Sequence, residues 1–151
     1  MIIKNDFLGE IEYSQDDVVT FIEGIFGFEN YTEYVYISNP DPSFPFEWLQ
    51  CVQNPEVSFI VTNPFLFVSN YDFDLPDLIV EKLDISNIGD VAILSMVVIP
   101  DDPKDTTINL KSPVIVNKNN RHAKQLILDE DYALKHKIFE KDGIDNDADS
   151  V

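Results

Sequence analysis

The amino-acid sequence predicts an all-β domain, an antiparallel barrel-like or sandwich-like sheet with one or two short helices. Short runs of β-branched and aromatic residues recur along the chain, and clusters of turn-forming residues separate them. Helical patterns do not alternate with these runs, as they would in a parallel α/β fold. Of the 151 residues, 44% are hydrophobic, which is enough for the core of one domain.

The strand-like runs follow one another at short intervals. They occupy residues 18–22, 34–38, 48–52, 57–62, 92–99, 107–111, 113–116 and 122–128. In the run 107–111 apolar and polar side chains alternate, which is typical of a half-buried strand. The last two runs are predicted to form a hairpin, because asparagines lie between them and Asn tolerates the positive φ of tight turns.

One helix is predicted near the middle of the chain. Pro76 suits a first helical turn, and Leu78, Ile79 and Leu83 are expected on one face. Because no linker divides the chain, a single domain is predicted over residues 1–139. Residues 140–151 are acidic and poor in apolar side chains, so the sequence predicts a disordered tail there.

The charge is strongly negative and unevenly distributed. The net charge is −18, of which residues 1–103 carry −17 and residues 104–151 carry −1. A field of this sign repels phosphate backbones and anionic lipid, and it attracts basic partners. Direct binding to nucleic acid or to a membrane surface is therefore disfavoured. Solubility is the simpler explanation of the same charge, and composition alone leaves both open.

The sequence also indicates a compartment. Cys51 is the single cysteine, so no intrachain disulfide is expected, which suits a reducing environment. The first residues do not resemble a signal peptide, and the longest apolar run is far shorter than the ~20 residues of a membrane span. A cytoplasmic protein is the expectation.

Motifs of catalysis, cofactor binding and metal binding are absent from the sequence. There is no phosphate-binding glycine loop, no nucleophile elbow, and His122 and His136 stand in no zinc-binding pattern. Asp145, Asp147 and Asp149 alternate like the first ligands of a calcium loop, but Ser150 stands where that loop needs glycine. The sequence therefore predicts no catalytic residue, no cofactor and no metal.

Aromatic residues crowd the first half of the chain, and two groups lie in predicted loops. Loop aromatics flanked by acids resemble the anchors of a protein interface with a charged rim. They can equally cap the core beneath a loop. Trp48 and Phe59 are predicted to lie in the core, whereas Phe46 and Tyr71 are predicted to be at least partly exposed.

Four segments occur in an order that is specific as a set. Residues 21–28 read Phe-Ile-Glu-Gly-Ile-Phe-Gly-Phe, residues 45–51 read Pro-Phe-Glu-Trp-Leu-Gln-Cys, and similar strand segments follow at 58–73 and 109–125. Together they resemble the FliW family of flagellar assembly factors, from about Ile2 to Leu128. Cys51 stands where the family commonly has serine, and the segment after Tyr132 matches no part of the family pattern.

The resemblance implies a function that the residue chemistry alone does not give. Members of this family bind the translational regulator CsrA, relieve its repression of flagellin mRNA translation, and also bind flagellin, which competes for them. A non-enzymatic homeostatic partner switch is therefore expected. The residues expected to contact a partner are Phe46, Glu47, Tyr71, Asp72 and Asp74.

Two other classes of function remain open from the sequence. A small acidic β-barrel could be a hydrolytic enzyme with Asp72 and Asp74 as acid and base, because side chains two apart on a strand point the same way. Alternatively, the basic residues Lys111, Lys118, Arg121 and Lys124 on the predicted hairpin could form a nucleic-acid-binding module.

Overall fold

The computed structural model describes residues 1–6, 9–41 and 43–139. In this part of the chain the secondary structure is mostly β, with one α-helix and four single 3₁₀ turns. The elements are β1 (Ile2–Asn5), β2 (Gly9–Glu12), β3 (Val18–Phe21), β4 (Glu33–Ile37), β5 (Phe46–Cys51), β6 (Ser58–Thr62), α1 (Asp77–Lys82), β7 (Val91–Val98), β8 (Thr107–Ile108), β9 (Val114–Asn117), β10 (His122–Gln125) and β11 (His136–Lys137).

Seven of the described strands close into a barrel. Their order around it is β9, β7, β6, β5, β4, β3 and β10, and β10 pairs again with β9. The all-β class is confirmed, and the barrel rather than the sandwich is the architecture. Every pairing in the barrel is antiparallel except that of β10 with β3, which is parallel. One parallel pair is unavoidable, because strand direction cannot alternate all the way around a ring of seven.

Large apolar side chains fill the barrel interior. Inward-facing residues alternate along the strands, as the period of two requires. The Phe21 and Tyr34 rings meet edge to face at 5.3 Å near the centre. The other buried members of this cluster are Val19, Ile25, Leu49, Cys51, Val61, Leu94, Val114, Val116 and Ala123.

Three layers cover the outer wall of the barrel. The β1–β2 hairpin packs through Ile3 against Val18 and Val35, and α1 packs through Ile79 and Leu83 against the β9 side. The third layer consists of residues 64–75 together with 128–138, and it buries Phe46, Tyr71 and Leu128. Both faces of the wall are therefore buried in places, and β9 is buried at every position.

The predicted strands correspond to β3 to β10 within one or two residues at each end, except that β8 and β10 each end three residues earlier than predicted. The predicted hairpin is β9–β10, paired antiparallel. The run 107–111 is strand only at Thr107–Ile108, because Leu110 and Lys111 instead donate their amides to the Ala133 carbonyl oxygen. The strands β1, β2 and β11 were not predicted from the sequence.

The helix lies where it was predicted, but one of its three apolar residues does not face the core. Pro76 is the N-cap, and Ile79 and Leu83 are buried. Leu78 is 59% exposed, so its predicted place on the buried face is wrong. Adjacent helical residues are about 100° apart, whereas Ile79 and Leu83 lie one turn apart on the same face. The single domain 1–139 stays a prediction, and the predicted tail 140–151 lies outside the described residues.

Candidate protein-binding surface

The glycine-containing segment 21–28 forms a tight turn between β3 and β4. Gly24 and Gly27 have φ of +74° and +85°, and Ile25 and Phe28 form an isolated bridge. A Cβ at Gly24 would lie 2.6 Å from the Glu29 Cα, so no other residue fits without a backbone shift. The turn leaves Phe26 and Phe28 partly exposed at the surface.

Glu23 connects this turn to two other elements. Its carboxylate binds the Lys82 ammonium of α1 at 2.6 Å and the Lys124 ammonium of β10 at 2.9 Å. Hydrogen bonds from Lys82 and then Lys124 lower the pKa of Glu23 to about 2. The two lysines are therefore part of an ion-pair network that holds the turn, α1 and β10 together.

Phe46 and Glu47 lie on opposite faces of β5. Phe46 faces the outer wall, is 6% exposed, and packs against the rings of Phe44 and Phe67. Its predicted exposure is wrong, because the third covering layer lies over this part of the wall. Glu47 alternates to the inner side and accepts a hydrogen bond from the Tyr36 hydroxyl, whose pKa is raised by burial and by this carboxylate.

Tyr71 is also buried, at 3% exposure, so its predicted exposure is wrong as well. Its hydroxyl donates to the Leu110 carbonyl oxygen at 2.6 Å, and its ring meets Tyr132 edge to face at 4.8 Å. The Tyr132 hydroxyl in turn exchanges hydrogen bonds with the backbone of Asp72. Tyr71 and Tyr132 thus fix the loop that carries Asp72 and Asp74, both of which are exposed.

The two aromatic residues predicted for the core are only partly buried. Phe59 packs against the interior cluster from β6, with its ring 5.1 Å from that of Phe28. Trp48 faces outward on β5, where it stacks on Phe44 at 6.2 Å. The core prediction for Trp48 is wrong because Leu49 and Cys51, of the opposite alternation, take the inner positions.

A surface cavity of about 330 Å³ brings three of the five predicted contact residues together. Tyr71, Asp72 and Asp74 line it, whereas Phe46 and Glu47 do not. Its walls also include Phe65 and Ile88, which are 40% and 72% exposed and which were not among the predicted contact residues. The sequence does contain a sign that Ile88 is exposed, because this isoleucine stands in a turn between Asn and Gly, where a polar residue is usual.

A second cavity, of about 290 Å³, opens at one end of the barrel. Val19, Leu94 and Val116 form apolar walls there. Lys118 and Arg121 of the β9–β10 hairpin line it together with Asp16, whose carboxylate lies 3.8 Å from the Arg121 guanidinium. Charges of both signs meet at this opening, in contrast to the cavity at Asp72.

The contacts weaken both alternative functions. Asp72 and Asp74 lie in a loop, not on the extended strand that the acid–base hypothesis assumed. Of the four basic residues of the other hypothesis, Lys124 binds Glu23, Arg121 lies near Asp16, and Lys111 donates to the Glu130 carbonyl oxygen at 2.9 Å. In the described part of the chain no three His, Cys, Asp or Glu side chains come together to hold a metal ion.

Comparisons with known proteins agree on one family. The family model described as FliW protein matches residues 2–138. The flagellar assembly factor FliW of Alkaliphilus metalliredigens is 42% identical, covering 93% of this chain and 88% of that protein. The factor of Ruminiclostridium cellulolyticum is 44% identical, covering 93% and 96%.

A solved structure gives the same result. The crystal structure of a flagellar assembly factor FliW superimposes with a TM-score of 0.87 at 34% identity, covering 94% of this chain and 99% of that one. Among the described residues, no helix has the length and apolar composition needed to cross a membrane.

Proposed function

Because the chain belongs to the FliW family of flagellar assembly factors, we propose that it works by binding CsrA and flagellin rather than by catalysis. Binding CsrA would relieve its repression of flagellin mRNA translation, and newly made flagellin would compete for the factor. The site of action is the cytoplasm, where both the message and its regulator are found. The observation that carries this proposal is the match of the FliW family model to residues 2–138, and the apolar cavity bordered by Asp72 and Asp74 offers a surface for a partner.

The proposed contact residues divide into two groups by their burial. Asp72 and Asp74 are exposed and available to a partner. Phe46 and Tyr71 are buried and act as supports, since they hold the loops from which the exposed side chains project. Phe65 takes the place of Tyr71 as the aromatic contact, because it lies in the same cavity and is partly exposed. Glu47 is half buried beside Tyr36 and has an indirect role.

Electrostatics support a basic partner. Residues 1–103 carry a net charge of −17, and an RNA-binding regulator presents basic surface. An acidic body bound to such a regulator would repel the phosphates of its RNA. The same charge therefore contributes both to capture of the partner and to displacement of the message.

The proposal is tested by capture from a cytoplasmic extract followed by titration with purified CsrA and purified flagellin. We expect both proteins to be recovered, and each to bind directly in calorimetry. Replacing Asp72 and Asp74 with Asn is expected to weaken binding of CsrA, whereas Asp101→Asn and Glu56→Gln, at exposed acids elsewhere, are expected to have little effect. Absence of direct binding by both purified proteins would contradict the proposal.

A further inference from the structure

The cavity at Asp72 adjoins a further one. This neighbouring cavity, of about 340 Å³, is lined by Asp74, Leu78, Ile127, Asp129 and Glu130 among others. Asp74 lines both cavities, so the two meet at this residue. We call the two adjoining cavities the acidic groove. Its walls come from residues 65–75, from α1, from the 3₁₀ turn at 88–90 with the start of β7, and from the segment that follows β10.

Among the residues that the structure describes, the carboxylates of the acidic groove have no basic partners of their own. Asp72, Asp74, Asp129 and Glu130 line it, no basic side chain does, and none of the four forms an ion pair within the described part of the chain. Lys111 reaches its margin, but its ammonium binds the Glu130 carbonyl oxygen and not a carboxylate. Glu23 differs from these four acids, because its carboxylate forms ion pairs with two lysines.

The same groove exposes large apolar side chains. Leu78 is 59% exposed, Ile127 is 64% exposed, and Ile88 and Phe65 lie at the other end. Apolar side chains that cluster in a concave, polar-rimmed surface are typical of a protein-binding site. Covering these side chains with a partner would remove apolar surface from water and so contribute favourable free energy to binding.

We propose that the acidic groove binds a short amphipathic helix that carries apolar side chains on one face and Lys or Arg beside them. This inference rests on the proposed function, because it names the surface and the kind of segment that a partner offers. Side chains three or four apart on a helix lie on one face, so successive apolar residues enter the two cavities. Basic residues between and beside them reach Asp74, where the two cavities meet, and the acids at either end.

The probe is a synthetic helical peptide of about 18 residues, or five turns. It contains leucine at every third or fourth position, lysine at the flanking positions and alanine elsewhere. One control peptide has the same composition in scrambled order, and a second has glutamate in place of each lysine.

Fluorescence anisotropy is expected to show that the designed peptide binds at least about 10-fold more tightly than the scrambled one, a difference of about 1.4 kcal/mol. The glutamate peptide is expected not to bind. Equal affinity of the designed and scrambled peptides would show only general attraction to an acidic protein and would overturn the inference.

Variants of the protein locate the binding. Three variants change exposed side chains of the groove: Leu78→Ser, Ile127→Ser and Asp74→Asn. Because the side chains are exposed, each variant is expected to keep the fold, and thermal unfolding is the measurement that checks this. Each is expected to weaken peptide binding several-fold. Ile2→Ser and Asp101→Asn are matched controls, because both residues are exposed and neither lines the groove. A similar loss in the controls, or no loss in the groove variants, would contradict the assignment.

The same variants separate this inference from the proposed function. If CsrA and flagellin both bind the groove variants as tightly as the unchanged protein, the groove is not their site and the inference fails, while the proposed function stands. If neither binds the unchanged protein, the proposed function fails, and the peptide experiment still decides the groove. Loss of CsrA or flagellin affinity in parallel with the peptide supports both.

Discussion

At the scale of single residues, the two glycines of the turn after β3 differ in what surrounds them. Both have positive φ, but a Cβ at Gly24 meets the Glu29 backbone whereas one at Gly27 meets nothing within 4 Å. Gly27→Ala is expected to lower the free energy of unfolding by about 1–2 kcal/mol, the cost of a left-handed backbone for an L-residue. Gly24→Ala is expected to lower it further, because a backbone contact must also shift. Urea unfolding of both variants measures the difference, and equal losses would contradict this account.

Tyr71 is the residue whose hydroxyl matters for stability. Tyr71→Phe keeps the ring but leaves the buried Leu110 carbonyl oxygen without this donor, which is expected to lower the free energy of unfolding by about 1–3 kcal/mol. Tyr71→Ala removes the ring as well and is expected to lower it by about 3–5 kcal/mol. Phe44→Ala is the control, since that ring is already exposed. Chemical denaturation measures all three, and a neutral Tyr71→Phe would show that the hydrogen bond contributes nothing.

The exposure of two aromatic residues could not be predicted from the sequence. Phe46 and Tyr71 were expected at the surface because they stand in predicted loops that are flanked by acids. Both are buried because residues 64–75 and 128–138 pack on the outer wall of the barrel. Alternation along β5 shows which residues share a face, but it does not show that a distant segment covers the second face. The exposure of Asp72 and Asp74 follows without tertiary information, because acidic side chains in a loop are rarely buried.

At the scale of elements, Glu23 joins the turn, α1 and β10. Its pKa is lowered from the ordinary 4.5 to about 2, so its ionised form stabilises the folded protein. This contribution is fully present above pH about 4.5 and is lost as the pH falls toward 2. Glu23→Gln is therefore expected to lower the melting temperature at pH 7, with the difference from the unchanged protein shrinking below about pH 4.5.

The control for this prediction is Glu81→Gln, which changes an exposed acid of α1 that forms no ion pair within the described residues. This control variant is expected to leave the melting temperature nearly unchanged, both at pH 7 and below about pH 4.5. Direct titration of the Glu23 carboxyl by NMR gives an independent measure. A midpoint near 4.5 would mean that the two lysines do not stabilise the carboxylate in solution.

Among the elements, the strands of the barrel could be predicted because β-branched and aromatic runs need no partner to be recognised. The strands β1 and β2 were missed because their mixed run of charged and apolar residues gives a weak pattern, and β11 because two residues carry no period. The short 3₁₀ turn before Val91 exposes Ile88, and only the tertiary structure brings that residue beside Phe65.

At the scale of the whole molecule, the uneven charge predicts how a partner is captured. Complementary fields raise the association rate above the ~10⁵–10⁶ M⁻¹s⁻¹ of an unsteered encounter, and salt screens them beyond a Debye length of ~8–10 Å. Raising the salt concentration is therefore expected to slow association with CsrA several-fold and to change dissociation less. Neutralising Asp72 and Asp74 together is expected to reproduce part of this effect.

Phe65→Ser is the complementary variant, because it removes an apolar contact and no charge. It is expected mainly to speed dissociation. Stopped-flow or surface-binding kinetics across a salt series measures both rates. An association rate that does not change with salt would mean that the negative charge serves solubility alone.

The single parallel pairing of the barrel bears on how the chain reaches its folded state. Thr20 donates its amide to the Arg121 carbonyl oxygen, and Ile22 donates to that of Ala123, so the seam joins segments a hundred residues apart. Every other barrel pairing can form between strands already connected by shorter stretches of chain, but this seam requires nearly all of them to be in place. Contacts of such high sequence separation slow folding, toward milliseconds to seconds for β-barrels of this kind. Until the residues around Gln125 have emerged from the ribosome, the barrel cannot close around the aromatic side chains of the first half. A nascent chain of this factor is therefore itself a candidate for help from a chaperone.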